Sequence, residues 1–210
     1  MGNQNSAHEK AKEKLSRVVK FQKNNTETFE LTVGEIRQLQ NIYKEEVSTR
    51  RTVHPGDTIF QAILLKASNA PEVFQAGQRA KGKAPDYSYH YAKMTETFDF
   101  VIANLERPDE VAQRLNELGA YHAQFRKFGF DASFWKAFGD SFQSASLEFG
   151  KTRQTPQQQE AWFNLSNFIE ESLKAGYRSQ VQQRRSVGSN RRQSEEKPAA
   201  VRSSRSESKS

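Results

Sequence analysis

Cysteine is absent from the chain. That excludes disulfide frameworks, thiolate-bound zinc or iron and S-palmitoylation, and it suits a reducing compartment. Long apolar runs are also missing. No stretch approaches the roughly 20 residues that span a bilayer, and none has the form of a signal-peptide core. The Asn-x-Ser/Thr matches at Asn24 and Asn164 are therefore expected to be fortuitous, because glycosylation needs secretion. Alternation of apolar and polar residues never runs to useful length, so the predicted fold class is all-α.

What is present is basic charge at the ends and aromatic residues in the middle. The net charge is +7. Residues 1–25 contribute +4, residues 178–210 contribute +6, and residues 26–177 carry −3. A partner that reads positive charge would therefore meet the ends of the chain. Fifteen Phe and two Trp are enough to furnish a packed interior in a chain of this size.

The segmentation reads as one domain of seven or so helices between two basic extensions. Thr32-Val-Gly-Glu35 is a capping box opening a helix with Ile36, Leu39, Ile42 and Tyr43 on one face. The break at 53–57 leaves Asp57 to cap a helix bearing Ile59, Phe60, Ile63 and Leu64. A short turn follows from Pro71, then a loop over 78–85 and a helix over 86–105. Pro108 opens the next helix, Asp131 caps another with Phe134, Trp135, Phe138 and Phe142, and Thr155-Pro-Gln-Gln158 caps the last. That last helix carries Trp162, Leu165, Phe168 and Leu173 and is predicted to end at Gly176. The Ser/Arg/Gln-rich remainder buries too little to fold and is predicted to be disordered.

Two histidines stand out because each extends an apolar stripe. His90 leads Met94, Phe98, Val101, Ile102 and Leu105; His122 follows Val111, Leu115 and Leu118. A buried imidazole needs a partner, and neutral imidazole is the commonest metal ligand. Facing helices could hold one iron between the pair, while a lone histidine on such a face is more often a satisfied core residue.

With these residues in view the sequence resembles the globin family, and nematode globins in particular. The segment from His90 to Leu105 resembles the distal helix, and Leu118-Gly-Ala-Tyr-His122 resembles the segment that ends in the proximal histidine. Trp162 resembles the tryptophan early in the last helix, and Pro71 the proline that opens the short third helix. The resemblance covers roughly residues 28–176, one domain in size. It implies a three-over-three helical sandwich over 28–176, with a basic extension over 1–27 and a tail over 177–210 that are both expected to be disordered. It implies haem as cofactor, His122 as proximal iron ligand and His90 on the distal side, open or bound to iron. Leu118 would pack on the proximal face, and Met94 and Ile63 would wall the distal pocket. The family's Phe against the haem falls at Gly77 here, so Phe74 is the expected substitute. Lys81, Lys93 and Arg126 are candidates by position to meet the propionates.

The first residues, Met1-Gly2-Asn-Gln-Asn-Ser6, match the N-myristoylation pattern. One acyl chain anchors only marginally, and the lysines behind it supply a second signal. The functional expectation is therefore a haem globin, bis-histidyl, with a redox, electron-transfer or oxygen-linked signalling role, tethered to the cytosolic face of the plasma membrane. Its partners would be oxygen or another diatomic ligand, a redox protein, and an anionic membrane met by both tails; nucleic acid is disfavoured. A soluble, reversible oxygen carrier is the alternative, and a haem-free membrane-associated interaction module stands third. Nothing in the pattern demands an enzyme, although haem redox activity remains open. Ser194 in Arg191-Arg-Gln-Ser194 has the form of a basophilic kinase site, where a phosphate would weaken attraction to an anionic surface.

Overall fold

The computed structural model describes residues 2–23, 26–49, 54–84, 86–150 and 152–195, with side chains from residue 8 to residue 187. The side chains of Gly2 and Ser194, and with them the lipidation and kinase motifs, lie outside that set. Among the described residues the order is α1 (Gly2–Ser16), β1 (Val18–Gln22), β2 (Thr28–Thr32), α2 (Val33–Thr49), α3 (Pro55–Lys66), α4 (Ala70–Arg79), α5 (Ser88–Ala103) and α6 (Pro108–His122). A 3-10 turn (Ala123–Phe128), α7 (Ser133–Ser146) and α8 (Pro156–Glu195) complete it.

Local chemistry explains where the helices begin. At α2, Thr32 N–H donates to Glu35 Oε2 at 2.7 Å and Glu35 N–H donates back to Thr32 Oγ1 at 3.2 Å. At α8, Thr155 N–H donates to Gln158 Oε1 at 2.9 Å, and Gln158 N–H to Thr155 Oγ1 at 3.3 Å. Both satisfy donors that a helix start otherwise strands. At α3 the cap is His54 rather than Asp57. His54 Nδ1 accepts from Gly56 N–H at 3.1 Å, while Asp57 accepts from His54 N–H at 3.3 Å. Asp86 and Asp131 sit just outside α5 and α7 and accept from Ser88 N–H and Ser133 N–H.

Both ends of the chain depart from the sequence-based expectation. Residues 2–16 form α1 where a disordered extension was expected. Residues 18–22 and 28–32 pair as antiparallel strands, with Val19 opposite Leu31 and Phe21 opposite Phe29. The inward face is apolar and the outward face is not. Phe21 stacks on Phe29 at 4.6 Å and meets Phe168 of α8 edge-on at 5.3 Å. A boundary at residue 28 would divide this strand pair, so the segment before it joins the packed body. At the other end α8 does not stop at Gly176. It runs for 40 residues to Glu195, so residues 177–195 are helix where disorder was expected. Tyr177 is buried and its hydroxyl donates to the Phe130 carbonyl at 3.0 Å.

Gly176 is a contact residue rather than a stop. A Cβ there would overlap the Asn116 backbone, and a Cβ at Gly119 would overlap the Leu173 carbonyl. These two glycines let α6 lie directly against α8, and that contact fixes the helix that ends in His122. On the opposite side α3 approaches α5 at Gly56, whose Cβ would stand 2.9 Å from Thr95 N. Phe98 of α5 stacks on Phe142 of α7 at 5.1 Å. Tyr43 of α2 donates to Asp99 of α5 at 3.0 Å and lies 3.4 Å from His54 Nε2, tying three helices together.

Candidate functional site

The site is built where the start of α5 faces the end of α6. His90 lies in the first turn of α5 and His122 is the last residue of α6. Their ring centroids are 6.4 Å apart with planes at 88°. The two imidazoles singled out by their stripes therefore do face each other across two helices.

The two rings are held differently. His122 Nδ1 lies 2.8 Å from the carbonyl of Leu118, one turn earlier. A carbonyl only accepts, so Nδ1 carries the proton and Nε2 is left with a free lone pair. Trp135 of α7 meets this ring edge-on at 4.9 Å, with Phe130 at 5.3 Å and Phe125 at 5.9 Å. No hydrogen bond holds the His90 ring among the described residues. Aromatic contacts hold it instead: Phe60 of α3 at 4.4 Å and Phe74 of α4 at 5.1 Å.

This aromatic surround sets the electrostatics. Desolvation pushes His90 down to about 3, helped by repulsion from His122. Desolvation likewise pushes His122 down to about 4, with Lys81 lowering it further against the opposing hydrogen bond to Leu118. Both rings are therefore neutral at physiological pH, the form in which imidazole ligates a metal.

The remaining expected residues sort as follows. Phe74 stands beside His90, and Met94 and Leu118 pack partly buried against the core. Ile63 is buried in α3, but the side chain set against His90 is Phe60, one turn earlier on the same face. Phe60 therefore joins Ile63 as a second residue of α3 on the side of His90. Neither side chain can donate a hydrogen bond to a ligand. Gly77 faces the Phe125 ring, which a Cβ would meet at 3.2 Å. Lys93 pairs with Glu96 at 2.6 Å, and Lys81 donates to the Tyr121 hydroxyl at 2.9 Å.

Phe60, Phe125, Phe130 and Trp135 were not singled out as site residues from the sequence. The density of rings after His122 was the available signal. Trp135 is notable because its Nε1 is buried with no acceptor among the described residues. Such a donor is costly unless something else in the site accepts from it. Among the described residues no three His, Cys, Asp or Glu side chains cluster as a metal cage. The pair offers two nitrogen donors, and any metal here needs its other donors from a bound group.

The family model described as Globin matches residues 57–173, more than half of the chain. The chain is 29% identical over 134 residues to the Globin-related protein glb-13 of Caenorhabditis elegans, covering 61% of this chain and 47% of that protein. It is 23% identical over 123 residues to Globin-like protein 26 of the same organism, covering 58% of this chain and 63% of that protein. The chain thus spans between about half and just under two thirds of the length of these curated relatives.

Proposed function

The chain belongs to the globin family, and from that premise we propose that it binds haem between His90 and His122 with both imidazoles as axial ligands. On this reading it serves a redox or oxygen-linked signalling role at the cytosolic face of a membrane. The observation that carries the proposal is the histidine pair itself. His122 has its Nδ1 proton engaged by Leu118, leaving Nε2 free, and His90 stands opposite at 6.4 Å between centroids. Two neutral imidazoles on facing helices, one with its Nε2 lone pair uncommitted, are the donor chemistry that a haem iron would take. The residues present therefore fit the group.

Bound there, haem supplies a one-electron iron couple and a site for diatomic ligands, and axial identity and pocket polarity select between those uses. The protein contributes the rest. Leu118 fixes the tautomer and aim of His122, and such outer partners hold ligands in place. Phe60 and Phe74 keep water from His90. Trp135 closes the other side and brings an unspent N–H. No side chain set against His90 donates to a bound diatomic, which favours the bis-histidyl state over a tightly held oxygen.

The alternative, reversible oxygen carriage, draws support from one feature. The His90 ring is held by apolar contacts alone and can step aside. The membrane part of the proposal rests on Gly2 and Ser6 in the acylation pattern and on exposed Lys10, Lys12 and Lys14 along α1, since a lysine patch supplies the second anchoring signal.

The ferrous absorption spectrum of haem-reconstituted protein tests the reading. Wild type is expected to be six-coordinate, and His90→Leu five-coordinate with faster carbon monoxide binding. His122→Ala is expected to lose haem on gel filtration. Unchanged haem retention in His122→Ala sinks the proposal, and a five-coordinate wild type selects the oxygen carrier.

A further inference from the structure

The rim of the histidine site carries a feature that neither axial ligation nor the fold requires. After α4 the chain turns back through residues 80–84, and Gln78 clamps that turn. Its side chain donates to the Asp86 carbonyl and accepts from Asp86 N–H, each at 2.6 Å. The clamp lays lysines across the two helix ends that bear the histidines. Lys81 Nζ donates to the Tyr121 hydroxyl and stands 5.4 Å from the Tyr121 ring centroid and 5.1 Å from that of Phe125. Lys83 and Lys93 stand 5.8 Å and 5.7 Å from the Tyr89 ring centroid.

Tyr89 immediately precedes His90, and Tyr121 immediately precedes His122. Both are more than half exposed, and the Tyr121 ring lies 5.7 Å from that of His122. Each histidine therefore has a neighbouring tyrosine at the surface with an ammonium group set over it. Among the described residues only Lys93 of the three lysines pairs with a carboxylate, Glu96. The charge runs against its background, because residues 26–177 carry −3 overall.

We propose that this lysine–tyrosine collar is the docking surface for the acidic face of a protein electron donor. The inference rests on the reading of the site as a haem redox centre. Surface rings give flat contact area at low entropic cost, as Tyr does across protein interfaces. Lysine stems laid over rings are already ordered, and their ammonium groups steer an acidic partner into encounter. A protein fits better than a bilayer because the collar is one small patch centred on the histidines, whereas the lipid-binding charge is carried by the ends of the chain. The donor loses one electron and the ferric iron gains it, with no bond made or broken and no proton moved.

The test uses the full haem-loaded chain and a reduced, acidic [2Fe–2S] ferredoxin as probe. Its cluster is oxidised by one electron as the haem is reduced. The bimolecular rate is expected to fall by about tenfold or more between about 20 mM and 300 mM salt. The triple variant Lys81→Gln, Lys83→Gln, Lys93→Gln is expected to slow the low-salt rate by about tenfold. Each rate is divided by that measured with methyl viologen radical, a small cation with no use for the collar, so that any change in the haem site itself cancels, and it is this ratio that is expected to fall by about tenfold in the variant. Carbodiimide cross-linking of wild type to ferredoxin, mapped by mass spectrometry, is expected to join Lys81, Lys83 or Lys93 to ferredoxin carboxylates.

Cross-links confined to Lys10–Lys23, or a ferredoxin rate unchanged in the triple variant, overturn the proposal. So does loss of phosphatidylserine-vesicle binding in the triple variant with ferredoxin reduction intact, which would give the collar to a lipid surface. A chain that takes up no haem is reduced by neither donor. That failure belongs to the haem reading, and the cross-link map still decides the docking surface.

Discussion

The Tyr43 hydroxyl is one of the few polar groups that ties helices together from inside. Burial raises its pKa first, and the charge and hydrogen bond of Asp99 raise it further. The folded value therefore lies above the unfolded value of about 10. Stability from the protonated phenol is fully present below about pH 10 and drains away as pH rises beyond it. Tyr43→Phe is expected to cost about 1–2 kcal/mol at neutral pH, the loss of one hydrogen bond to a charged acceptor. The same variant should lose stability less steeply above about pH 10, as followed by urea melts across the alkaline range. At this scale the histidine pair was legible in the sequence, because each imidazole continues an apolar stripe and a stripe is a direct record of facing. Phe60 was not. Counting back from Pro71 reached Ile63, which shares its face one turn away. A count to one position names one residue and leaves its neighbour on the same helix face unnamed.

The elements carry two further expectations. Gly119→Ala would drive a methyl into the Leu173 carbonyl, and backbone on both sides leaves no flexible group to yield. A loss of about 3 kcal/mol or more is expected, in the range of severe overpacking, together with weaker haem retention because α6 positions His122. Thermal melts with and without haem check both parts. Gly82→Ala serves as the comparison, since nothing stands near its Cβ and only its φ of 68° opposes the change. Phe21→Ala is expected to cost about 3–5 kcal/mol, as for a large buried ring. A strand pair peripheral to the body would instead leave the denaturation midpoint unmoved. The capping boxes at Thr32 and Thr155 were readable because a cap is a local contract between residues three apart. The strand pair was not, because two five-residue strands set among lysines are too short for a period of two to emerge from the surrounding charge. The overrun of α8 escaped notice because glycine after an apolar run marks a helix end more often than a close helix crossing.

For the whole molecule the governing feature is the separation of charge, with basic ends around a mildly acidic middle. Gly2→Ala is expected to abolish incorporation of labelled myristate. It should also lower co-sedimentation with phosphatidylserine vesicles by about tenfold or more at moderate salt, because one acyl chain and a lysine patch are each marginal alone. Equal sedimentation of variant and wild type would remove the lipid anchor from the picture. The two walls of the site also differ in what they permit. One imidazole is pinned by its own helix, and that helix is jammed against α8 by paired glycines. The other rests among greasy rings with nothing to unfasten. With haem between them, displacement by an outside ligand is therefore expected to fall on His90, the ring with no polar tether, and not on His122.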